Sequence, residues 1–120
     1  MTDVHSIVEQ YIAVWNETDA DKRRALIADV FTADAGYTDP LGAVTGHDGI
    51  DQFVAGAQQQ FGGLTFSLPA EPDAHHDLAR FQWYLGAPGA AEPVAIGFDV
   101  VELEDGKIAA VHGFLDKIPG

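Results

Sequence analysis

The chain has 120 residues, 47% of them hydrophobic, no cysteine and a formal charge of −13. That is the size of one domain with enough apolar content for a core, and it leaves no disulfide, thiolate metal site or cysteine nucleophile. The acidic balance argues against nucleic acid and anionic membrane surfaces, where Lys and Arg carry the binding.

Met1 to Glu9 lacks the basic-then-apolar pattern of a leader, and no stretch reaches membrane-spanning length. The expectation is a single cytoplasmic domain over residues 1–120. The first helix is expected from about Val4 to Asn16, because Ile7, Tyr11, Val14 and Trp15 fall on one face. Thr18-Asp19 breaks it and caps a second helix, about Asp21 to Phe31, with Leu26, Ile27, Val30 and Phe31 as the buried stripe. Tyr37-Thr38-Asp39 reads as a short strand, stopped by Pro40. A third helix opens near Gly46-His47-Asp48, carries Ile50, Phe53, Val54, Ala57 and Phe61, and stops at Gly62-Gly63.

Strands follow. Leu64 to Leu68 alternates, Pro69 to Asp73 is a loop or bulge, and His75 to Leu85 is the longest strand. Gly86 to Pro93 turns the chain into a strand over Val94 to Leu103. Glu104-Asp105-Gly106 is a hairpin signal before the last strand, Lys107 to Asp116. The order α-α-β-α-β-β-β-β, helices first, implies an α+β fold with a sheet wrapped over three helices.

Several motifs carry a family resemblance over essentially the whole chain. They are Tyr37-x-Asp39-Pro40 ahead of Gly46-His47-Asp48-Gly49-Ile50, then Arg80-Phe81-x-Trp83, Gly97-Phe98-Asp99, Gly106-Lys107 and Gly113-Phe114-Leu115-Asp116. Together the chain resembles the NTF2-like superfamily, its SnoaL-like and ketosteroid-isomerase-like members in particular. The resemblance implies an α+β cone enclosing an apolar pocket, a homodimer joined through the open sheet face, no cofactor, and a small steroid- or polyketide-like ligand. It also implies a cofactor-free isomerase, polyketide cyclase or lyase. Asp39, in Asp39-Pro40-Leu41-Gly42, would be the general base, with Tyr11 and Asp99 as oxyanion donors. A neutral Asp99 needs an apolar surround. Ala95, Gly97, Val101 and Leu103 share its face, although a register slip of one residue would turn that face outward.

Two departures from the family bear on the chemistry. The segment between the first helix and Asp39 is a few residues longer than in the isomerase. An Arg80 in the pocket would favour an ionised Asp99. Epoxide hydrolases of the superfamily use an Arg and two Asp around a water; Arg80 and Asp99 fit that alternative, but Gln82 stands where the other Asp is expected. Cyclase- and dehydratase-like sites use His with Asp, for which His75, His76 and His112 are available. Candidate substrate-binding residues are Trp15, Tyr37, Phe53, Arg80, Trp83, His112 and Phe114. His75-His76-Asp77 reads as a polar strand start rather than a metal site, since adjacent strand residues point opposite ways, and His47 reads as structural. A non-catalytic binding module with the same pocket is the other alternative. Asp39 discriminates: a carboxylate that faces the cavity with a raised pKa favours chemistry, and one capping the backbone of Leu41 or Gly42 favours binding or structure.

Overall fold

The structure, a computed structural model, describes residues 4–117. Helix α1 spans Val4–Asn16, α2 Ala20–Val30 and α3 Gly46–Gln60. The strands are β1 Phe31–Asp39, β2 Gly42–Thr45, β3 Thr65–Ser67, β4 Asp73–His75, β5 Leu78–Gly86, β6 Ala95–Glu104 and β7 Lys107–Lys117. They form one mixed sheet in the order β2-β1-β7-β6-β5-β3, with β4 added beside β5. All pairs are antiparallel except β1 and β7. This is the expected α+β cone, with three helices packed on one face of the sheet.

Local chemistry fixes the joints. Asp19 caps α2 by accepting 3.0 Å bonds from the Asp21 and Lys22 amides, which satisfies donors that a helix start leaves open. Asp105 and Gly106 both adopt positive φ, 52° and 81°, as a two-residue hairpin loop that matches strand twist requires. Asn16 ties α1 to β3 twice, its amide donating to the Phe66 carbonyl at 2.9 Å and accepting from the Phe66 amide at 2.8 Å.

Three expectations are corrected. Phe31 belongs to β1 and not to α2. Its amide still closes the helix by donating to the Ile27 carbonyl, but its backbone is extended. Pro40 does not end pairing, because Pro40 and Leu41 form the tip of a β1–β2 hairpin in which Asp39 opposes Gly42. The long strand is split by a turn at His76-Asp77 into β4 and β5.

The inner face of the sheet carries Phe81, Val101 and Val111 against Val8, Tyr11, Ile27 and Val54 from the helices. Ile108 joins them, fully buried, although strict alternation would place it with Ala110 and Phe114. A register shift pairs Glu102 with Ala110 but Leu103 with Ile108, so one extra residue turns Ile108 inward. The helix layer also holds a buried ion pair that the hydrophobic pattern does not reveal. Arg23 Nε lies 2.6 Å from Asp51 Oδ1, and Arg23 donates further to Gln58 at 3.0 Å. Among the described residues no helix is long and apolar enough to cross a membrane.

Candidate active site

A cavity of about 270 Å³ opens between α1, α3 and the inner face of the sheet, close to the low end of small-molecule sites, roughly 300–1,000 Å³. Its wall is largely aromatic. The Trp15 ring sits 5.5 Å from Tyr37, 6.2 Å from Phe53 and 5.4 Å from Phe66, and Phe66 lies 5.3 Å from Trp83. The tilted and edge-on geometries are those aromatic pairs prefer.

The polar part of the wall is small. It includes Tyr11, Tyr37, Asp39 and Asp99. Strand register brings the two carboxyls together. Asp99 on β6 lies opposite Gly113 on β7, and Thr38 on β1 lies opposite His112, so Asp39 reaches the level of Gly113 from the other side. A methyl built on Gly113 would sit 2.9 Å from Asp99 Oδ1 and 3.2 Å from Asp39 Cβ. Glycine there lets both side chains occupy one place above the sheet. Gly97 does the same for Trp83: a methyl on it would run into the indole ring, which crosses the strand at this point.

Asp99 is 2% exposed. Burial, which penalises a charged carboxylate, pushes it up from the ordinary 3.8 to about 6. Hydrogen bonds from Tyr11 and Trp83 act in the opposite direction, and the charge of Asp39 adds a smaller upward push. The Tyr11 hydroxyl donates to Asp99 Oδ2 at 2.9 Å. Burial and the nearby Asp99 hold the Tyr11 proton well above its ordinary range, and the same two causes, joined by Asp39, act on Tyr37. Both tyrosines are therefore hydrogen-bond donors at neutral pH.

Asp39 caps the turn, the arrangement expected of a binding or structural residue, and it also reaches the cavity. It lies on the cavity wall, and its Oδ1 accepts from the Leu41 amide at 2.8 Å and the Gly42 amide at 3.1 Å. Its Oδ2 accepts from Tyr37 at 2.7 Å. A carboxylate has about four lone-pair positions, so three bonds fix its orientation and leave capacity toward the cavity.

Of the sequence-derived candidates, Tyr11, Asp39, Asp99, Trp15, Tyr37, Phe53 and Trp83 all line this cavity. Arg80, His112 and Phe114 do not, which corrects their expected placement. Alternation along β5 turns Phe81 and Leu85 inward and Arg80 outward, where it is exposed and pairs with Asp73 at 3.1 Å. His112 is exposed and bonded to Glu102 at 2.7 Å, and Phe114 is 58% exposed. The arrangement of Arg80 with Asp99 around a water is thus absent. Sequence reasoning missed Phe66, Leu41, Phe61 and Leu115 in the wall. The alternation of Leu64, Phe66 and Leu68 held a signal for Phe66.

Among the described residues no group of three or more His, Asp or Glu stands ready to hold a metal ion. His75 and His76 approach each other at 3.1 Å in an exposed turn. His47 bonds the Phe31 and Thr32 carbonyls at 3.2 and 3.0 Å, a structural role.

Residues 8–111 match the family described as the SnoaL-like domain. No curated protein gives a significant match. Among solved structures, the chain is 40% identical to a proposed isomerase of the SnoaL-like family from Agrobacterium tumefaciens, covering 92% of this chain and 95% of that one with a TM-score of 0.87. A proposed ketosteroid isomerase from Kribbella flavida is 18% identical over 97% and 79% of the two chains, with a TM-score of 0.70. A proposed polyketide cyclase from Sinorhizobium meliloti is 20% identical over 90% and 93%, with a TM-score of 0.68. The last two likenesses speak to the fold alone.

Proposed function

The chain belongs to the SnoaL-like domain family, and from that premise we propose that it is a cofactor-free acid–base enzyme acting on a small apolar carbonyl compound, of the isomerase or polyketide-cyclase type. The observation that carries this reading is the pairing of two unlike carboxyls over Gly113. Asp99 is buried, bonded to Tyr11 and pushed up to about 6. Asp39 is partly exposed and oriented by Tyr37 and the turn amides.

The proposed steps follow from those environments. Protonated Asp99 presents its carboxyl proton to the substrate carbonyl oxygen at the buried end of the cavity, and the Tyr11 hydroxyl, whose single proton otherwise lies on Asp99 Oδ2, turns to the same oxygen as the second donor. Asp39 removes a proton from the carbon next to the carbonyl and returns it at another position. Negative charge develops on the oxygen where Asp99 and the turned Tyr11 donate to it, at the buried end of the cavity where such donors are worth most. An apolar ligand that displaces water from Asp99 favours its neutral form further.

A binding module without turnover is the second reading. The 2.8 Å bond from the Leu41 amide favours it, because it commits one oxygen of Asp39 to the turn. Following the conjugated-enone absorbance of a β,γ-unsaturated ketosteroid in wild type and Asp39→Asn separates the two. Turnover that falls by about 10²–10⁴-fold in Asp39→Asn supports the enzyme. Saturable ligand binding without turnover of any β,γ-unsaturated ketone supports the module.

A cytoplasmic homodimer is part of the same proposal. The outer face of the sheet supports the dimer: Phe98 lies opposite both Phe114 and Gln82, and Phe114 is a large exposed apolar group.

A further inference from the structure

Among the described residues, the cavity wall contains two carboxyls and no Lys, Arg or His. Asp51, the other buried carboxylate among the described residues, has Arg23 beside it at 2.6 Å. Asp99 is as deeply buried, but the donors it meets are a tyrosine hydroxyl and an indole, both uncharged. A buried carboxylate with no cation beside it carries an uncompensated desolvation cost. Either a proton or a positive charge brought in from outside removes that cost. The rest of the wall suits such a charge. Trp15, Tyr37, Phe53, Phe66 and Trp83 surround the space, and aromatic faces attract alkylated ammonium groups, most strongly where water is excluded.

We propose that this cavity selects small apolar ammonium ions, of the tertiary- or quaternary-amine class, over neutral molecules of the same shape. The inference goes beyond the acid–base reading and does not need turnover. The two protonation states of Asp99 select two ligand classes. Neutral Asp99 receives a carbonyl oxygen, and ionised Asp99 receives a cation. The titratable groups facing Asp99 are Tyr11 from α1 and Tyr37 and Asp39 from β1. Trp83 from β5 is uncharged, as are the wall residues from α3 and β7, namely Phe53, Ala57, Gln60 and Leu115. Both tyrosines keep their protons, so Asp99 sets the sign of the pH dependence near pH 6.

The test is calorimetric titration of the full chain with choline phenyl ether and with its carbon isostere, 3,3-dimethylbutyl phenyl ether. The ammonium charge is permanent, so any pH dependence belongs to the protein. At pH 8 the cation is expected to bind about tenfold more tightly than the isostere. At pH 5, with Asp99 protonated, the preference should shrink to about threefold or less. Asp99→Asn should show the small preference at both pH values, and it changes the net charge by only one, so general attraction to an acidic protein is nearly unaltered. Equal affinity for the two probes at pH 8, or no binding of the cation, overturns the proposal. So does a tenfold preference that persists in Asp99→Asn with native circular dichroism. If that variant does not fold, the wild-type comparison between pH 5 and pH 8 decides alone. Turnover of an uncharged ketone alongside equal probe affinities overturns this inference and leaves the acid–base reading standing.

Discussion

The Tyr11 hydroxyl donates a 2.9 Å hydrogen bond to Oδ2 of Asp99, joining the first helix to the sixth strand across 88 residues of sequence. The bond closes the inner end of the cavity and holds a carboxyl that burial pushes up to about 6. Removing the hydroxyl in Tyr11→Phe takes away a donor to the charged form, so Asp99 should titrate higher than in wild type. Turnover, where a ketone substrate is processed, should fall by about 10²–10³-fold with loss of one oxyanion donor. Carboxyl carbon chemical shifts and the rate of enone formation read the two effects separately.

Asp99 also sets a pH dependence of stability. Its folded value lies above the ordinary 3.8, so the native state binds the proton more tightly than the unfolded chain. The stability this group contributes is fully present below about pH 4 and is lost as pH rises through about 6. Two units correspond to about 3 kcal/mol at most. Asp99→Asn cannot ionise and should gain on wild type by up to that amount between pH 4 and pH 7.5, as urea unfolding at the two pH values would show.

Gly113→Ala tests whether the two carboxyls share one space. The added methyl would meet Asp99 Oδ1 at 2.9 Å and Asp39 Cβ at 3.2 Å, and both belong to side chains already fixed by hydrogen bonds. The variant should lose about 1–3 kcal/mol of stability and most of its affinity for cavity ligands. Differential scanning calorimetry and ligand titration provide the measurements.

Far from the cavity, Asp51→Ala would leave Arg23 buried without its partner at 2.6 Å. Breaking a buried pair on one side costs about 3–5 kcal/mol, and chemical denaturation should show a loss of that order. Arg80→Ala is the opposing control. Its pair with Asp73 is exposed on both sides, so stability should move by less than about 1 kcal/mol and turnover should be unchanged.

Phe114→Glu addresses the outer face. A charge in place of a 58% exposed phenylalanine opposite Phe98 should convert a dimer to monomers in analytical ultracentrifugation while leaving the circular dichroism spectrum intact.

The helices were legible because their periodicity is strong. The α1 face of Ile7, Tyr11, Val14 and Trp15 is buried as read, and Asp105-Gly106 marked its hairpin through turn chemistry alone. Strand faces were harder. Along Ile96 to Val101 both alternating sets contain large apolar residues, so composition could not tell whether Asp99 points in. The register to Gly113 and the inward Phe81 opposite it decide that. The sequence offers both Arg80 and Trp83 as cavity residues, yet an odd spacing on one strand places them on opposite faces. Ile108 changed sides through a bulge that no local signal announced. The Arg23–Asp51 pair joins two helices through charged residues, and the apolar periodicity carries no signal for it.

Carbon-detected NMR titration of the Asp99 side-chain carboxyl, assigned by comparison with Asp99→Asn, tests the site most directly. A midpoint near 6, moving upward in Tyr11→Phe, is the predicted result. A midpoint near 4 that ignores Tyr11 would contradict it, because Asp99 would then behave as an ordinary hydrated carboxylate.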